Sequence, residues 1–154
     1  MLAGNIMVTD VIAVHIDDSI NDVLIRMRQA HLRMVPVIND ERVVVGIVST
    51  YTIIEQIVPS YIVSGDLEQI PYAPDIGLLQ RHYHETAYKK VVDIMDKKPL
   101  IVQEDESILS VAAALVVFTR HEYAIVIDQN GCLKGILSAG DILDRMRSME
   151  ACDA

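Results

Sequence analysis

The sequence predicts an α+β fold in which two β-α-β-β-α repeats pack as a pseudo-symmetric pair, and three observations predict it. The first is internal similarity. A shift of 88 residues superposes Ile6-Met7 on Ile94-Met95, Val14 on Val102, Asp17-x-Ser19-Ile20 on Asp105-x-Ser107-Ile108 and Val23 on Val111. After one extra residue the match resumes at 89, with Val37 on Val126, Gly46-Ile47 on Gly135-Ile136, Ser49 on Ser138 and Ile53 on Ile142. Matches in this order mark a repeat architecture. The second is that short apolar runs alternate with helical spacing in the same sequence in each half. The third is size and composition: 154 residues, 51% hydrophobic but only 5% aromatic. So aliphatic a chain is globular, too short for a multidomain enzyme, and a unit of about 50 residues buries too little surface alone. The two halves are therefore expected to share one core.

Each half opens on a short apolar strand, Val11 to Ile16 or Leu100 to Val102, which runs into Asp17-Asp18-Ser19 or Asp105-Glu106-Ser107. An acid-rich Ser turn is a helix start, and Ile20, Val23, Leu24 and Met27 then follow at helical spacing to an end near His31. Two strands come next, Met34 to Ile38 and Val43 to Val48 in the first half, Tyr123 to Ile127 and Cys132 to Leu137 in the second. Asn130-Gly131 signals a hairpin turn with positive φ at both central residues, and Asn39-Asp40-Glu41 is its weaker equivalent. A second helix closes each half, from about Thr50 to Val58 and from about Ala139 to Met149. The expected boundaries are 1–58 for the first repeat, 59–90 for a linker of loop then helix, and 91–154 for the second repeat with a short C-terminal tail.

The middle segment has no counterpart in either half. It carries Pro59, Pro71, Pro74, Gly65 and Gly77, and four of the six tyrosines, Tyr61, Tyr72, Tyr83 and Tyr88. Leu79, Tyr83, Ala87, Val91 and Met95 are spaced as one helix that feeds into the second repeat. The tyrosines are expected to anchor a long linker over the sheet.

Thirteen Lys and Arg against 22 Asp and Glu give a net charge of −9, with no basic run longer than Lys89-Lys90 or Lys97-Lys98. Binding to nucleic acid by counterion release is therefore not expected, whereas one well-placed Arg still holds a phosphate in an acidic protein. Two cysteines, Cys132 and Cys152, make no disulfide framework and point to a reducing compartment. No apolar stretch approaches the roughly 18 residues that span a bilayer, so a soluble, cytoplasmic protein without a membrane role is expected.

The clearest candidate for chemistry is Gly135-Ile136-Leu137-Ser138-Ala139-Gly140-Asp141-Ile142, where the last strand turns into the last helix. A carboxylate accepts hydrogen bonds from both hydroxyls of a ribose, a Ser hydroxyl reaches a phosphate or sugar oxygen, and a helix N-terminus favours anions. Gly140 leaves room for a ligand to approach the backbone. Ser-x-x-Asp is equally a helix cap, and Ser19-Ile20-Asn21-Asp22 has the same spacing at an ordinary helix start. His82-Tyr83-His84-Glu85 places two histidines on different faces of a helix and makes no metal site alone. His121-Glu122, His15, His31 and Cys132 read as structural. No Cys, His and acid set has the spacing of a nucleophile, and phosphate loops of Walker or dinucleotide type are absent.

With the duplicated pattern, the Ile-Met openings and the Gly135 to Ile142 segment together, the sequence resembles a tandem CBS-domain (cystathionine β-synthase domain) protein, or Bateman module, over residues 4–57 and 92–148. The resemblance implies a non-enzymatic regulatory module that needs no cofactor and takes AMP, ADP, ATP or S-adenosylmethionine as a regulatory ligand in a cleft between the repeats. It implies that Asp141 and Ser138 hold the ribose, that Val8, Thr9, Ile12 and Ala13 of the other repeat line the same cleft, and that Arg33, Met34 and Val35 contribute from a strand. Adenine would lie near Ile12, Ala13, Val35 and Ile136, with phosphates toward Arg33, Thr9 and Ser138. In the first repeat Thr52 stands where the acid belongs and Tyr51 replaces Gly140, so one competent cleft per chain is expected. Asp96, Lys97, Lys98 and Glu122 face the weaker one. The resemblance also implies a disc-like homodimer and an effector protein. The alternative is a ligand-free interaction or dimerisation module in which Ser138 and Asp141 only cap a helix.

Overall fold

The computed structural model describes residues 1–59, 76–118 and 122–153; Tyr61, Gly65, Pro71, Tyr72, Pro74 and His121 lie outside them. The fold is α+β. Its elements are α1 (Ala3–Ile6), β1 (Val14–His15), α2 (Ile20–Gln29), β2 (Met34–Ile38), β3 (Val44–Ser49), α3 (Thr50–Ile57), α4 (Ile76–Ala87), α5 (Val91–Ile94), β4 (Ile101–Gln103), α6 (Ile108–Val117), β5 (Tyr123–Ile127), β6 (Leu133–Ser138) and α7 (Ala139–Asp153). They form two three-stranded sheets, β1-β2-β3 and β4-β5-β6. In the second, β4 runs parallel to β5 and β5 antiparallel to β6, with a bulge at Lys134 between the Val126–Gly135 and Ile127–Leu133 pairs. The parallel step is possible because α6 makes the crossover, as parallel strands require.

The chain divides into two compact units that do not follow the halves of the sequence. One comprises Met1–Ala13, Ile38–Val45 and Lys97–Ala154, the other Val14–Val37 and Gly46–Asp96. In the first unit Ala3, Val102, Ile108, Val111, Ala124, Val126, Leu137 and Ile142 form the core, with Ile6, Met7, Leu100, Ala112 and Leu115 packed against it. Their equivalents under the repeat are Val91, Val14, Ile20, Val23, Val35, Val37, Val48 and Ile53, and all eight are buried. Each sheet and the helices beside it are thus built from one aliphatic template used twice.

The opening segment of each half completes the sheet of the other. In the first unit, Val8 forms an antiparallel bridge with Ile136, with N–H···O distances of 2.8 and 2.9 Å. In the second unit, Ile47 and Asp96 do the same at 2.9 and 2.8 Å. Gly135 and Gly46 permit this approach. A Cβ on Gly135 would stand 2.6 Å from the Val8 carbonyl oxygen, and one on Gly46 2.8 Å from that of Asp96.

Three expectations are corrected. The long helix spaced from Leu79 to Met95 ends at Ala87, and α5 starts anew at Val91. Ser19 bridges Lys90, Lys89 accepts the Ile20 amide and Val91 donates to Asp18, so this backbone is spent on an extended pairing. The opening strand shrinks from six residues to Val14–His15, because the backbone ahead of it belongs to the other unit. The turn after Ile127 is not a two-residue hairpin with positive φ at Asn130; only Gly131 adopts it, at +83°. Gly131 N–H donates to the Asp128 carbonyl, and Asp128 Oδ1 accepts from the amides of Asn130 and Cys132 at 2.8 and 3.0 Å. The first half builds the same turn. Arg42 N–H donates to the Asn39 carbonyl, Asn39 Oδ1 accepts from Glu41 and Val43, and Arg42 takes φ +63° where its counterpart is glycine. The two turns meet within the first unit, where Val43 bridges Cys132 and the Arg42 carbonyl accepts from Leu133.

Candidate functional site at the turn from β6 to α7

β6 alternates buried Leu133, Gly135 and Leu137 with more open Lys134, Ile136 and Ser138. The period of two puts Ile136 and Ser138 on the face away from the core. Ser138 is where the strand becomes helix. Its Oγ accepts from the Asp141 amide at 3.1 Å, while its own N–H and Oγ–H both donate to Asp141 Oδ2 at 2.9 Å. This closes a capping box, a reciprocal bond pair that satisfies free donors of the first helical turn. Among the described residues Asp141 Oδ1 makes no hydrogen bond, so half of the carboxylate is left over at the positive end of α7.

The first half supplies the control. Ser49 Oγ accepts from Thr52 N–H at 3.0 Å, Ser49 N–H donates to Thr52 Oγ1 at 3.2 Å, and the two hydroxyls lie 2.9 Å apart. Thr52 therefore makes the same cap with its single oxygen and has no charge and no second oxygen to offer. Ser19 and Ser107 cap α2 and α6 more simply, accepting at 3.1 Å from Asp22 and Ser110. Capping does not need a carboxylate here.

Other expected residues fall into place around this turn or away from it. The Val8–Ile136 bridge puts the opening segment beside β6, two residues from Ser138, and Val8, Thr9 and Ile12 are exposed while Ala13 is half-buried. Gly140 has open space: a Cβ there would meet only Ser138 Oγ, at 3.6 Å. Arg33, Met34 and Val35 belong to the other unit. Arg33 is exposed and its carbonyl accepts from Thr50 N–H at 3.0 Å. Val35, at 1% exposure, has its side chain in the core, which leaves only its backbone for a ligand.

Tyr123 is a residue that the sequence reasoning missed. It opens β5 directly opposite Ser138, and burial, reinforced by the charge of Glu122, pushes its phenol above the ordinary range. The signal was available, since Tyr123 is the repeat counterpart of Met34. His82 Nδ1 lies 3.1 Å from the Ile57 carbonyl oxygen, and the Tyr83 and His84 rings meet edge-on at 5.6 Å, so this cluster ties α4 to α3. Among the described residues no group of three or more His, Cys, Asp or Glu is arranged to hold a metal, and no helix is long and apolar enough to cross a membrane.

Comparison with known proteins gives the fold a family. The CBS domain model matches residues 3–59 and 91–148. The chloroplastic CBS domain-containing protein CBSX2 of Arabidopsis thaliana is 30% identical over 81% of this chain, which spans 54% of that relative's length. An uncharacterized protein of Methanocaldococcus jannaschii, MJ1426, is 29% identical over 95% of this chain and 91% of its own. The crystal structure of the CBS-pair protein CBSX2 from Arabidopsis thaliana superposes with a TM-score of 0.75 at 25% identity, over 97% of this chain and 96% of that one. CBSX2 in complex with AMP superposes with a TM-score of 0.72 at 24% identity, over 97% and 98%. With the repeat, the paired sheets and two matches of one family model in agreement, the chain belongs to the CBS domain family and carries two copies of that domain in tandem.

Proposed function

We propose that this chain is a regulatory module that binds an adenine nucleotide at the β6–α7 turn, with the ribose hydroxyls on Asp141. The observation that carries this reading is the carboxylate itself. Thr52 makes the same cap with one oxygen, so Asp141 Oδ1 is in excess of what the fold uses, and it stands beside an open glycine and an exposed apolar segment. The AMP complex of the structurally similar CBSX2 supports the choice of ligand class. On this reading Ser138 and Thr9 meet sugar or phosphate oxygens by charge-assisted hydrogen bonds, and Val8, Ile12 and Ile136 supply apolar contact. The module binds and does not catalyse, and it signals by shifting the population of its conformations toward the one that the ligand prefers. The first repeat, with Thr52 and Tyr51, is the weaker partner.

A ligand that binds only the folded state stabilises it by about 2.7 kcal/mol at a hundredfold excess over Kd. Thermal unfolding with AMP, ADP, ATP, S-adenosylmethionine and NAD is expected to show such a shift for at least one adenine nucleotide. Asp141→Thr, which copies the cap of the first half, is expected to keep the unliganded melting temperature and lose the shift. If no compound raises the wild-type midpoint, or Asp141→Thr responds equally, the complete capping box is the whole role of Ser138 and Asp141, and the module is one of protein interaction alone.

A further inference from the structure

The chain holds four asparagines, Asn5, Asn21, Asn39 and Asn130, and the fold restrains three of them. Asn5 Oδ1 accepts from the Leu2 amide at 2.8 Å, and the branched Ile6 follows it. Asn21 lies in the first turn of α2, where the next amide, Asp22 N–H, donates to Ser19 Oγ at 3.1 Å. Asn39 Oδ1 accepts from the amides of Glu41 and Val43 at 2.9 and 3.0 Å. Asn130 is different on every count. It is exposed in the turn between β5 and β6, its side chain makes no hydrogen bond among the described residues, and glycine follows it.

Asparagine is a chemically labile residue, and its point of attack is the side-chain amide carbon, which the next peptide nitrogen reaches. A following side chain hinders that approach, and Gly131 has none. The turn itself does not require the pair. The first half builds it with Glu41 and Arg42 in the places of Asn130 and Gly131, and with the same backbone bonds. Asn-Gly is therefore a property of the second half and not a demand of the fold.

We propose that Asn130 is a modification site, converted by spontaneous deamidation through a ring formed with Gly131. Base takes the Gly131 amide proton, the nitrogen bonds to Asn130 Cγ, and the Cγ–Nδ2 bond breaks with loss of ammonia. Water then opens the succinimide at either carbonyl and leaves aspartate or isoaspartate at position 130. The step is a hydrolysis, with water as its only co-reactant. Gly131 N–H has first to leave the Asp128 carbonyl, which it meets at 3.1 Å, so the folded turn reacts more slowly than the unfolded one.

The two products act differently. Aspartate adds a negative charge to a chain that already carries −9. Isoaspartate also routes the main chain through the side-chain carbon and lengthens the turn by one methylene. This turn meets its counterpart within the first unit: Val44 N–H donates to the Gly131 carbonyl and Leu133 N–H to the Arg42 carbonyl, both at 3.1 Å, and Val43 bridges Cys132. A longer backbone at position 130 displaces Gly131 and opens that junction, so the modification loosens the place where the two turns join. The nucleotide reading plays no part in this.

Peptide mapping of the full, folded chain held at mildly alkaline pH tests the proposal. The tryptic peptide 121–134 is expected to convert to its acid forms at least tenfold faster than 34–42, which holds Asn39, or 1–26, which holds Asn5 and Asn21. Asn130→Gln, whose longer side chain closes a ring poorly, is expected to leave 121–134 unmodified. In amide exchange read by NMR, the isoaspartate form is expected to lose protection at Val44 and Leu133 and to keep it at Val8 and Ile136. Freshly prepared Asn130→Asp, which has the charge without the added methylene, is expected to keep all four. Conversion of 121–134 no faster than the other two peptides, or full protection of Val44 and Leu133 in the isoaspartate form, would overturn the proposal.

Discussion

Asp141 and Thr52 stand at equivalent turns, make equivalent caps and differ by one oxygen and one charge, and the proposed binding site rests on that difference. A second pair of equivalent residues, Arg42 and Gly131, differs in the opposite sense. Both take the left-handed conformation at the close of the same turn, which costs an L-residue roughly 1–2 kcal/mol and glycine nothing, although glycine loses about 0.5–1 kcal/mol more chain entropy on folding. Arg42 is exposed, and among the described residues its hydrogen bonds in the turn are made through backbone. Arg42→Gly is therefore expected to stabilise the protein by about 0.5–1 kcal/mol, read as a higher urea midpoint with unchanged slope. A lower midpoint would mean that the Arg42 side chain holds the turn. At this scale the sequence was legible for Ser138 and Asp141, whose spacing is local. It was not legible for Arg42, since nothing in Asn39-Asp40-Glu41 says which residue will turn left-handed.

The opening segments show what an element's own pattern leaves undecided. Val8 and Asp96 are each bound by two backbone hydrogen bonds to a strand of the other half of the sequence, and the apolar run from Val11 to Ile16 reads the same whether it pairs nearby or far away. A trace of the answer was present in Gly46 and Gly135, glycines at the same repeat position in the interior of a strand, which signal close approach of another backbone. Gly135→Ala is expected to cost about 1–3 kcal/mol, because its Cβ would stand 2.6 Å from the Val8 carbonyl oxygen and 2.9 Å from Met7 Sδ. A Tm drop in this variant and not in Gly140→Ala, where the space is open, checks the argument; equal stability of the two would refute the close approach. The pairing of Ser19 with Lys90 ends α4 in the same way, by taking backbone groups that helical spacing alone would have kept.

For the whole molecule, stability rests on one aliphatic template used twice, and its response to alkali has an identifiable contributor. The Tyr123 phenol is held protonated above its ordinary value, near 10, by burial first and then by the charge of Glu122. The folded pKa is the raised one, so the unfolded chain releases the proton first. The stabilising contribution is complete below pH 10 and is lost as pH rises beyond it, by up to about 1.4 kcal/mol per pH unit. Urea midpoints between pH 8 and 11.5 are expected to fall above pH 10 in the wild type and to fall less steeply in Tyr123→Phe. Parallel curves would show that the phenol does not drive the loss. The duplication, the α+β class and the bounds of β2 and β5 were all written in the sequence, because apolar periodicity and Ser-capped helix starts act over a few residues, whatever surrounds them. The tertiary structure alone decided that each opening segment serves the opposite half's sheet, that α4 stops at Ala87, and that, among the described residues, Asp141 keeps one oxygen uncommitted. Those outcomes turn on which distant backbone or side chain satisfies a given donor, and no local period carries that information.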